Sequence, residues 1–172
     1  MTILNILKEP HPILRKKSQL VHEVDNNLRK LMDNMLQTMY NAPGIGLAAP
    51  QVGILQRVIV IDISKDNEFK KPLFFVNPEI TWRSEEVETR EEGCLSIPGY
   101  YAEVTRSIRC KVNYTDYNGS PQELNANGLL ATCIQHEVDH CNGVLFIDYL
   151  SKLKKDMIIK KLLKTKKEKK IL

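Results

Sequence analysis

The sequence predicts an α+β fold, with antiparallel β-sheets around a central metal-binding helix, an N-terminal helix and a C-terminal helix. Three observations lead to this class. The strand-like runs are clustered between residues 58 and 124 and do not alternate with helices, which is typical of antiparallel sheets. Apolar residues follow helical spacing on both sides of that cluster. Two histidines four residues apart, His136 and His140, lie in the later helical stretch and can bind one metal ion.

The first helix is predicted to begin after Asp25, whose carboxylate can cap it, and to end at Pro43-Gly44. Its apolar positions recur every three or four residues. They are Leu28, Leu31, Met32, Met35, Leu36 and Met39. Because periodicity alone explains the methionines, we assign them to the core and not to a ligand pocket.

Six strands are predicted from short runs rich in β-branched and aromatic residues. Their ranges are 58–62, 73–77, 80–89, 100–105, 108–117 and 122–124. The dipeptide Asn118-Gly119 is a strong hairpin signal and joins the last two of them.

Two helices are predicted after the strands. The metal-binding helix covers residues 127–141, and Gly143 is placed to stop it. A last helix begins at the cap candidate Ser151. Its narrow apolar face is predicted to consist of Leu153, Met157, Ile158 and Leu162.

The positive charge is confined to the C-terminal tail. Residues 151–172 contain ten lysines and two acidic residues, a balance of +8, so residues 1–150 carry −4 of the net +4. We expect residues 1–150 to form a single catalytic metallohydrolase domain. Residues 151–172 are expected to be a lysine-rich C-terminal helix of the same domain.

Composition restricts the class of protein further. A chain of 172 residues with 42% hydrophobic content suits one domain with a substantial core. The cysteines have no paired spacing, so we expect no disulfide framework and a reducing compartment. The N-terminus lacks the features of a signal peptide, and we find no apolar run long enough to span a membrane. We therefore expect a soluble, cytoplasmic protein with no membrane partner and no specific DNA partner.

Residues 136–140 read His-Glu-Val-Asp-His, a pattern in which both imidazoles can bind one ion while Glu137 moves a proton on an activated water molecule. A third ligand is missing downstream. The position six residues after the second histidine is Phe146, and the only later glutamate is Glu168. The third ligand must therefore come from upstream. Cys94 is the best candidate, because a thiolate is a strong ligand for a borderline metal.

Residues 44–51 read Gly-Ile-Gly-Leu-Ala-Ala-Pro-Gln. Small residues let a backbone come close to a ligand, and the amide of Gln51 can donate a hydrogen bond without competing for the metal. Taken alone, such a stretch is more often a tight turn against a sheet.

Together, residues 44–51, 92–96 and 135–140, in this order, closely resemble the peptide deformylases of bacteria. These metalloenzymes remove the formyl group from the initiator methionine of new proteins, giving formate and a free N-terminal methionine. The resemblance extends from Pro10 to Leu150. Three motifs with consistent roles are more specific than the histidine motif alone.

The resemblance implies a role for each motif residue. The implied metal ligands are Cys94, His136 and His140. The implied catalytic residues are Glu137 as general acid/base, with the Gln51 amide and the Leu95 backbone N–H as oxyanion donors.

We expect an extended substrate to pair with the glycine-rich strand, and its methionine to enter an apolar pocket beside the metal helix. The candidate substrate-binding residues are Gly44, Ile45, Gly46, Glu92, Gly93, Leu129 and Cys133. Cys133 lies three residues before His136 and could be a metal ligand by spacing, but as a small apolar side chain facing the core it needs no such role, and Cys141 is interpreted as structural. The resemblance also implies that Glu92 pairs with Arg106, and we expect Asp139 to bond with backbone or basic groups instead of the metal.

The resemblance further implies one Fe²⁺ ion as cofactor, for which Zn²⁺, Ni²⁺ or Co²⁺ can substitute. The implied partners are N-formylmethionyl peptides, nascent chains and, through the lysine-rich helix, the ribosome. A solvated face that only keeps the protein soluble is an equally good interpretation of those lysines. Two other classes stay open. In another metal-dependent peptidase or amidase, neither the motif at residues 44–51 nor a cysteine ligand would be expected. A non-catalytic binding module would leave the metal motif unexplained.

Overall fold

The computed structural model describes residues 1–65 and 69–171, and within them the chain forms three α-helices and seven β-strands. The helices are α1 (Asn26–Asn41), α2 (Gly128–Cys141) and α3 (Lys152–Ile171). The strands are β1 (Gly46–Ala48), β2 (Val58–Ile61), β3 (Leu73–Arg83), β4 (Val87–Cys94), β5 (Ile97–Ser107), β6 (Arg109–Thr115) and β7 (Pro121–Asn127). The predicted α+β class is confirmed, and of the expected tail Leu172 lies outside the described residues.

All strand pairs in the two sheets are antiparallel. One sheet has five strands in the order β1-β2-β3-β6-β7, and the other is the hairpin β4-β5. Helices α1 and α2 pack on opposite faces of the five-stranded sheet. Strand β2 shows why: Val58 and Val60 face α1 while Ile59 and Ile61 face α2, so all four are buried.

Helix α1 forms where the sequence predicted it. The Asp25 carboxylate accepts a hydrogen bond of 2.8 Å from the Leu28 N–H and caps the first turn. Of the six predicted apolar positions, five are buried and Leu31 is partly buried against the same cluster. The methionines are core residues, as predicted.

The predicted break between two strands at Asn77-Pro78 is wrong, because β3 runs through it and the chain turns only at residues 84–86. A register shift removes the proline from the ladder at this point. Asn77 adopts a φ of 52°. Its side-chain amide bonds the Val21 N–H and carbonyl, each at 2.8 Å, which compensates for the interrupted ladder. The strand thus continues past a residue that normally ends one.

Turn residues fix the other boundaries. Asp116 accepts hydrogen bonds from the Asn118 and Ser120 N–H groups, both of 2.9 Å, and closes the predicted hairpin between β6 and β7. Gly143 has a φ of 75° and lies just after Asn142, the C-cap of α2, where the sequence predicted the helix to stop. A side chain there would come within 2.5 Å of the Arg15 carbonyl oxygen.

The predicted apolar face of α3 is partly wrong. Leu153 is 78% exposed and Met157 is 49% exposed, because both lie well around the helix from the residues that face the body. The packed residues are Ile158, Ile159 and Leu162, which contact the cluster of β5 and the turn at Phe146–Tyr149. The ammonium of Lys155 lies 2.6 Å from Asp148. The first half of α3 is therefore part of the folded body. No helix among the described residues is long and apolar enough to cross a bilayer.

Candidate metal centre

Three side chains from two separate elements converge beside the five-stranded sheet. His136 and His140 lie on one face of α2, and Cys94 is the last residue of β4. Their ligand atoms all lie within 4.8 Å of one another. The Cys94 sulfur is 3.3 Å from His140 Nε2. The structure thus brings together the three residues that the sequence analysis proposed as ligands.

Cys94 reaches this position through an irregularity in the β4-β5 hairpin. The register shifts between Gly93 and Cys94, so Cys94 pairs with Ile97 across a tight turn. Gly93 lies against the ring of Tyr101, where a Cβ would be only 2.5 Å from the nearest ring atom. The sulfur accepts a hydrogen bond of 3.4 Å from the N–H of Ser96 in that turn.

Glu92 and Arg106 form the ion pair expected from the sequence, and it is buried. The guanidinium also donates a hydrogen bond of 2.9 Å to Asp139, which follows the prediction for that residue. The second oxygen of Glu92 lies 3.2 Å from His136 Nδ1. A carboxylate at this distance accepts the Nδ1 proton, and Nε2 of His136 is left for a metal. Burial opposes ionisation of Glu92, but His136 and Arg106 hold its pKa below the usual value.

Glu137 differs from Glu92 although it is equally buried. Its Oε2 and the Nδ1 of His140 are buried without a hydrogen-bond partner in the described part of the chain. Burial raises the pKa of Glu137 to about 7, although His136 opposes the shift. A carboxyl group with this pKa can both accept and return a proton near neutrality.

Gln51 is held with its amide directed at the same centre. Its Oε1 accepts a hydrogen bond of 2.9 Å from the Ala48 N–H. This bond leaves Nε2 to donate to Ser96 Oγ at 3.1 Å and to lie 3.5 Å from the Cys94 sulfur. The side chain is 1% exposed. The amide is therefore a fixed donor at the wall of the centre.

A cleft of about 550 Å³ opens beside Cys94 and His136, two of the three candidate ligands. Ile45 and Leu129 expose 44% and 40% of their surface here and give the cleft apolar walls. All seven residues predicted to bind substrate line it, and they are Gly44, Ile45, Gly46, Glu92, Gly93, Leu129 and Cys133. The carboxylate of Glu92 is already bonded to Arg106 and His136.

Burial and the nearby Glu137 raise the pKa of the Cys133 thiol to about 12. The thiol of Cys141 is also buried, and its pKa is likewise raised to about 12. Both stay protonated at neutral pH, which agrees with their interpretation as packing residues.

Sequence reasoning missed two residues of this site. Ser96 is fully buried and bonds both Gln51 and Cys94. Lys8 lines the cleft and donates a hydrogen bond of 2.7 Å to the Leu95 carbonyl. Ser96 adjoins a motif and could have been found from that position. Lys8 is 87 residues from its partner, so no local spacing indicates it.

A Cys-His-His donor set at the wall of a cleft, with a buried carboxyl group beside it, defines a metal-dependent hydrolase. The family of this hydrolase follows from comparison with known proteins. The chain belongs to the polypeptide deformylase family, whose model matches residues 3–156. Enzymes of this family hydrolyse the N-formyl group from nascent peptides in a metal-dependent reaction, and this chain is such an enzyme.

Individual relatives agree over nearly the whole chain. The peptide deformylase of Pelagibacter ubique (strain HTCC1062) is 58% identical over 166 residues, covering 96% of each protein. That of Rhizobium meliloti (strain 1021) is 54% identical over 167 residues, covering 97% of this chain and 96% of the relative. The crystal structure of peptide deformylase from Ehrlichia chaffeensis superposes with a TM-score of 0.93 at 39% identity, covering 99% and 100% of the two chains. A second structure from that organism, in complex with actinonin, gives 0.92 at 42% identity, covering 96% and 98%.

Gly46 offers a test of the site's geometry, because a Cβ there would lie 2.3 Å from Glu137 Oε1 and 2.9 Å from its Cδ. Gly46→Ala must displace the carboxyl group, and we expect a loss of turnover of roughly 10²-fold, as for a misplaced acid/base. The bound metal should be retained, since no ligand moves. Turnover and metal content measured on the same sample test this.

Gly44→Ala is the matched control. Its Cβ would meet only the far end of the Leu95 side chain, at 2.7 Å, which can rotate away. Its turnover should fall much less. Equal losses of turnover in the two variants would mean that Gly46 does not act by leaving room for the Glu137 carboxyl group.

Proposed function

We propose that Cys94, His136 and His140 hold one divalent ion, and that Glu137, Gln51 and Leu95 carry the hydrolysis of the formyl group from formyl-methionyl chains. The observation that carries this proposal is the convergence of three ligand atoms within 4.8 Å, beside a carboxyl group that lacks a partner for one oxygen among the described residues. One thiolate and two neutral imidazoles suit a borderline divalent ion and leave room for a further ligand. The residues therefore fit a metal.

An ion at this position supplies Lewis acidity, which favours deprotonation of water and polarises the formyl carbonyl. Glu137 takes the proton of the attacking water and later gives it to the leaving amine. Its buried carboxyl group, with a pKa of about 7, is suited to both steps. Formate and a free amino terminus result.

The negative charge that develops on the formyl oxygen is met by two donors. Gln51 Nε2 is held in place by the hydrogen bond that the Ala48 N–H donates to Oε1 of the same side chain, so the amide is oriented before the reaction begins. The N–H of Leu95 follows directly after the cysteine ligand. Both residues line the cleft next to Cys94.

Strand β1 provides the place for the rest of the substrate. It lies at the edge of the five-stranded sheet and, among the described strands, pairs only with β2. An extended peptide can add to such an edge through its backbone, while the methionine side chain enters the apolar space between Ile45, Leu129 and Cys133. Glu92 contributes by holding His136, not by touching the substrate.

The decisive experiment measures formate release from formyl-Met-Ala by the wild type and by Glu137→Gln. The wild type should release formate without cleaving the Met-Ala bond. The variant should keep its fold and its metal but lose roughly 10²-fold or more in turnover, as expected for a lost acid/base. A general peptidase would instead cut Met-Ala.

Glu103→Gln is a matched control, because this glutamate is exposed on β5 and outside the cleft. It should behave as the wild type. Loss of metal from Glu137→Gln, or near wild-type turnover, would show that the role assigned to Glu137 is wrong.

We further propose Fe²⁺ as the working ion. A thiolate donates more charge than an imidazole or carboxylate and so weakens the Lewis acidity of the ion, which favours a metal whose coordination expands easily. Apo-protein loaded anaerobically with Fe²⁺ should be most active, Ni²⁺ and Co²⁺ forms should retain activity, and the Zn²⁺ form should be poor. Formate release after reconstitution with each metal is the measurement. Formate release by the Zn²⁺ form at the rate of the Fe²⁺ form would contradict this proposal.

The lysine-rich end of α3 suits a polyanion, and we propose that it docks on the ribosome in the cytoplasm, where formylated nascent chains emerge. Residues 1–150 are the catalytic domain in this proposal, and 151–172 are a helix of it. The ion pair of Lys155 and the packing of Leu162 show that the first half of α3 stabilises the body. The docking surface is therefore the part beyond Leu163.

Removal of residues 164–172 deletes five lysines and one glutamate but keeps the packed turns of α3. Formate release from a short formyl peptide should be nearly unchanged, while salt-sensitive binding to ribosomes should weaken. A full-length variant with glutamine at the same five lysines separates charge from length. Equal ribosome affinity for all three proteins would exclude this docking.

A further inference from the structure

Lys8 is a charged residue at the catalytic cleft to which the mechanism above gives no role. Its ammonium donates a hydrogen bond of 2.7 Å to the carbonyl oxygen of Leu95. Leu95 directly follows Cys94 in the turn of the β4-β5 hairpin. Lys8 therefore reaches the cysteine ligand through a single intervening peptide group.

That peptide group connects Lys8 to the sulfur. The carbonyl of Leu95 and the N–H of Ser96 belong to one planar, conjugated unit. The carbonyl end accepts from the ammonium, and the N–H end donates to Cys94 Sγ at 3.4 Å. Hydrogen bonds arranged in such a chain polarise one another. A cation on the carbonyl makes the Ser96 N–H a stronger donor to the sulfur.

The backbone on both sides of Lys8 holds it in register with this turn. The N–H of Leu7 donates to the Gln51 carbonyl at 2.7 Å, and the N–H of Glu9 donates to the Ser96 carbonyl at 2.9 Å. Glu9 is buried, and its carboxylate lies 2.9 Å from Arg15. Lys8 and Glu9 thus donate hydrogen bonds to two successive carbonyl groups, those of Leu95 and Ser96, in the turn after Cys94.

The charges of Lys8 and Cys94 also act on each other directly. Partial burial lowers the pKa of Lys8, whereas the nearby Cys94 sulfur raises it. A charged donor forms a stronger hydrogen bond than a neutral one, so the ammonium is better suited to this relay than an amide.

We propose that Lys8 is a positioning residue that withdraws electron density from the Cys94 sulfur through the Leu95-Ser96 peptide group, and so sets how strongly the thiolate donates to the metal. The inference rests on the proposed function in one respect, that Cys94 is a metal ligand. Groups behind the first ligand shell tune metals in this way by hydrogen bonding to the ligands. Weaker donation from sulfur leaves the ion more Lewis acidic.

The test uses full-length protein loaded with Co²⁺, whose bond to a thiolate gives a charge-transfer absorption band. Lys8→Met removes the cation while keeping the length of the side chain. Sulfur orbitals then rise in energy, and the band should move to longer wavelength. Turnover should fall roughly three- to tenfold, the equivalent of one modest hydrogen bond, with KM little changed.

Three further variants make the result specific. Lys8→Arg retains the cation and should restore both the band and the turnover. Lys17→Met removes the same charge from an exposed lysine of the N-terminal segment and should change neither. Lys8→Gln, a neutral donor, should shift the band less than Lys8→Met, and it takes the place of that variant if Lys8→Met does not fold.

The outcomes separate this inference from the proposed function. Absence of a thiolate-to-cobalt band in the wild type would contradict Cys94 as a ligand. A normal wild-type band that stays in place in Lys8→Met would overturn the relay alone. Reduced turnover with an unmoved band would show that Lys8 only supports the turn, and an equal shift in Lys17→Met would reduce the effect to net charge.

Discussion

The metal centre depends on the buried ion pair between Arg106 and Glu92. Its candidate ligands come from the β4-β5 hairpin and from α2, and no ladder joins that hairpin to the five-stranded sheet in the described part of the chain. Arg106 lies on β5 and bonds Glu92 on β4 and Asp139 on α2 at the same time. Removing one partner of such a buried network leaves an uncompensated charge, at a cost of roughly 3–5 kcal/mol. The network therefore fixes the distance between the cysteine and the histidines.

A second connection runs through the N-terminal segment, residues 2–9, by way of its backbone hydrogen bonds. The N–H groups of Thr2 and Leu4 donate to the side chains of Asn34 and Thr38 on α1, both at 2.8 Å. The same segment then bonds the turn of Gln51 and the turn of Cys94. The N-terminal segment thus links α1 to the turns that contain Gln51 and Cys94. Its partners on α1, Asn34 and Thr38, are buried polar residues, and the apolar periodicity of that helix does not indicate them.

Features determined within a few residues could be predicted from the residues alone, whereas the more distant Cys94 was assigned as a ligand with the help of the family resemblance. The Asp25 cap, the histidine pair and the Asn118-Gly119 hairpin each depend on local geometry, and all are present in the structure. The break predicted at Pro78 failed because the amide of Asn77 finds its partner 56 residues away. The bond from Lys8 to Leu95 spans 87 residues and has no local signal.

The apolar face predicted for α3 failed for a different reason. Leu153 and Ile158 are both apolar but lie about 140° apart around a helix, so one face cannot bury them together. Only the packing against β5 decides between them, and it selects Ile158. The seven residues predicted to bind substrate do line the cleft, because they lie in or beside motifs whose order along the chain identifies the family.

The two glutamates of the cleft show why environment, more than residue type, assigns chemical roles here. Glu92 is held as an anion by Arg106 and His136, which lower its pKa. Glu137 is equally buried, and its pKa rises to about 7, to which the fixed negative charge of Glu92 contributes. Environments that move the pKa values of two carboxyl groups apart in this way leave one group as a permanent anion and the other as a proton carrier. Arg106 acts on Glu137 in two opposite ways: it keeps Glu92 ionised, and that anion raises the pKa of Glu137, while the positive charge of Arg106 itself lowers it.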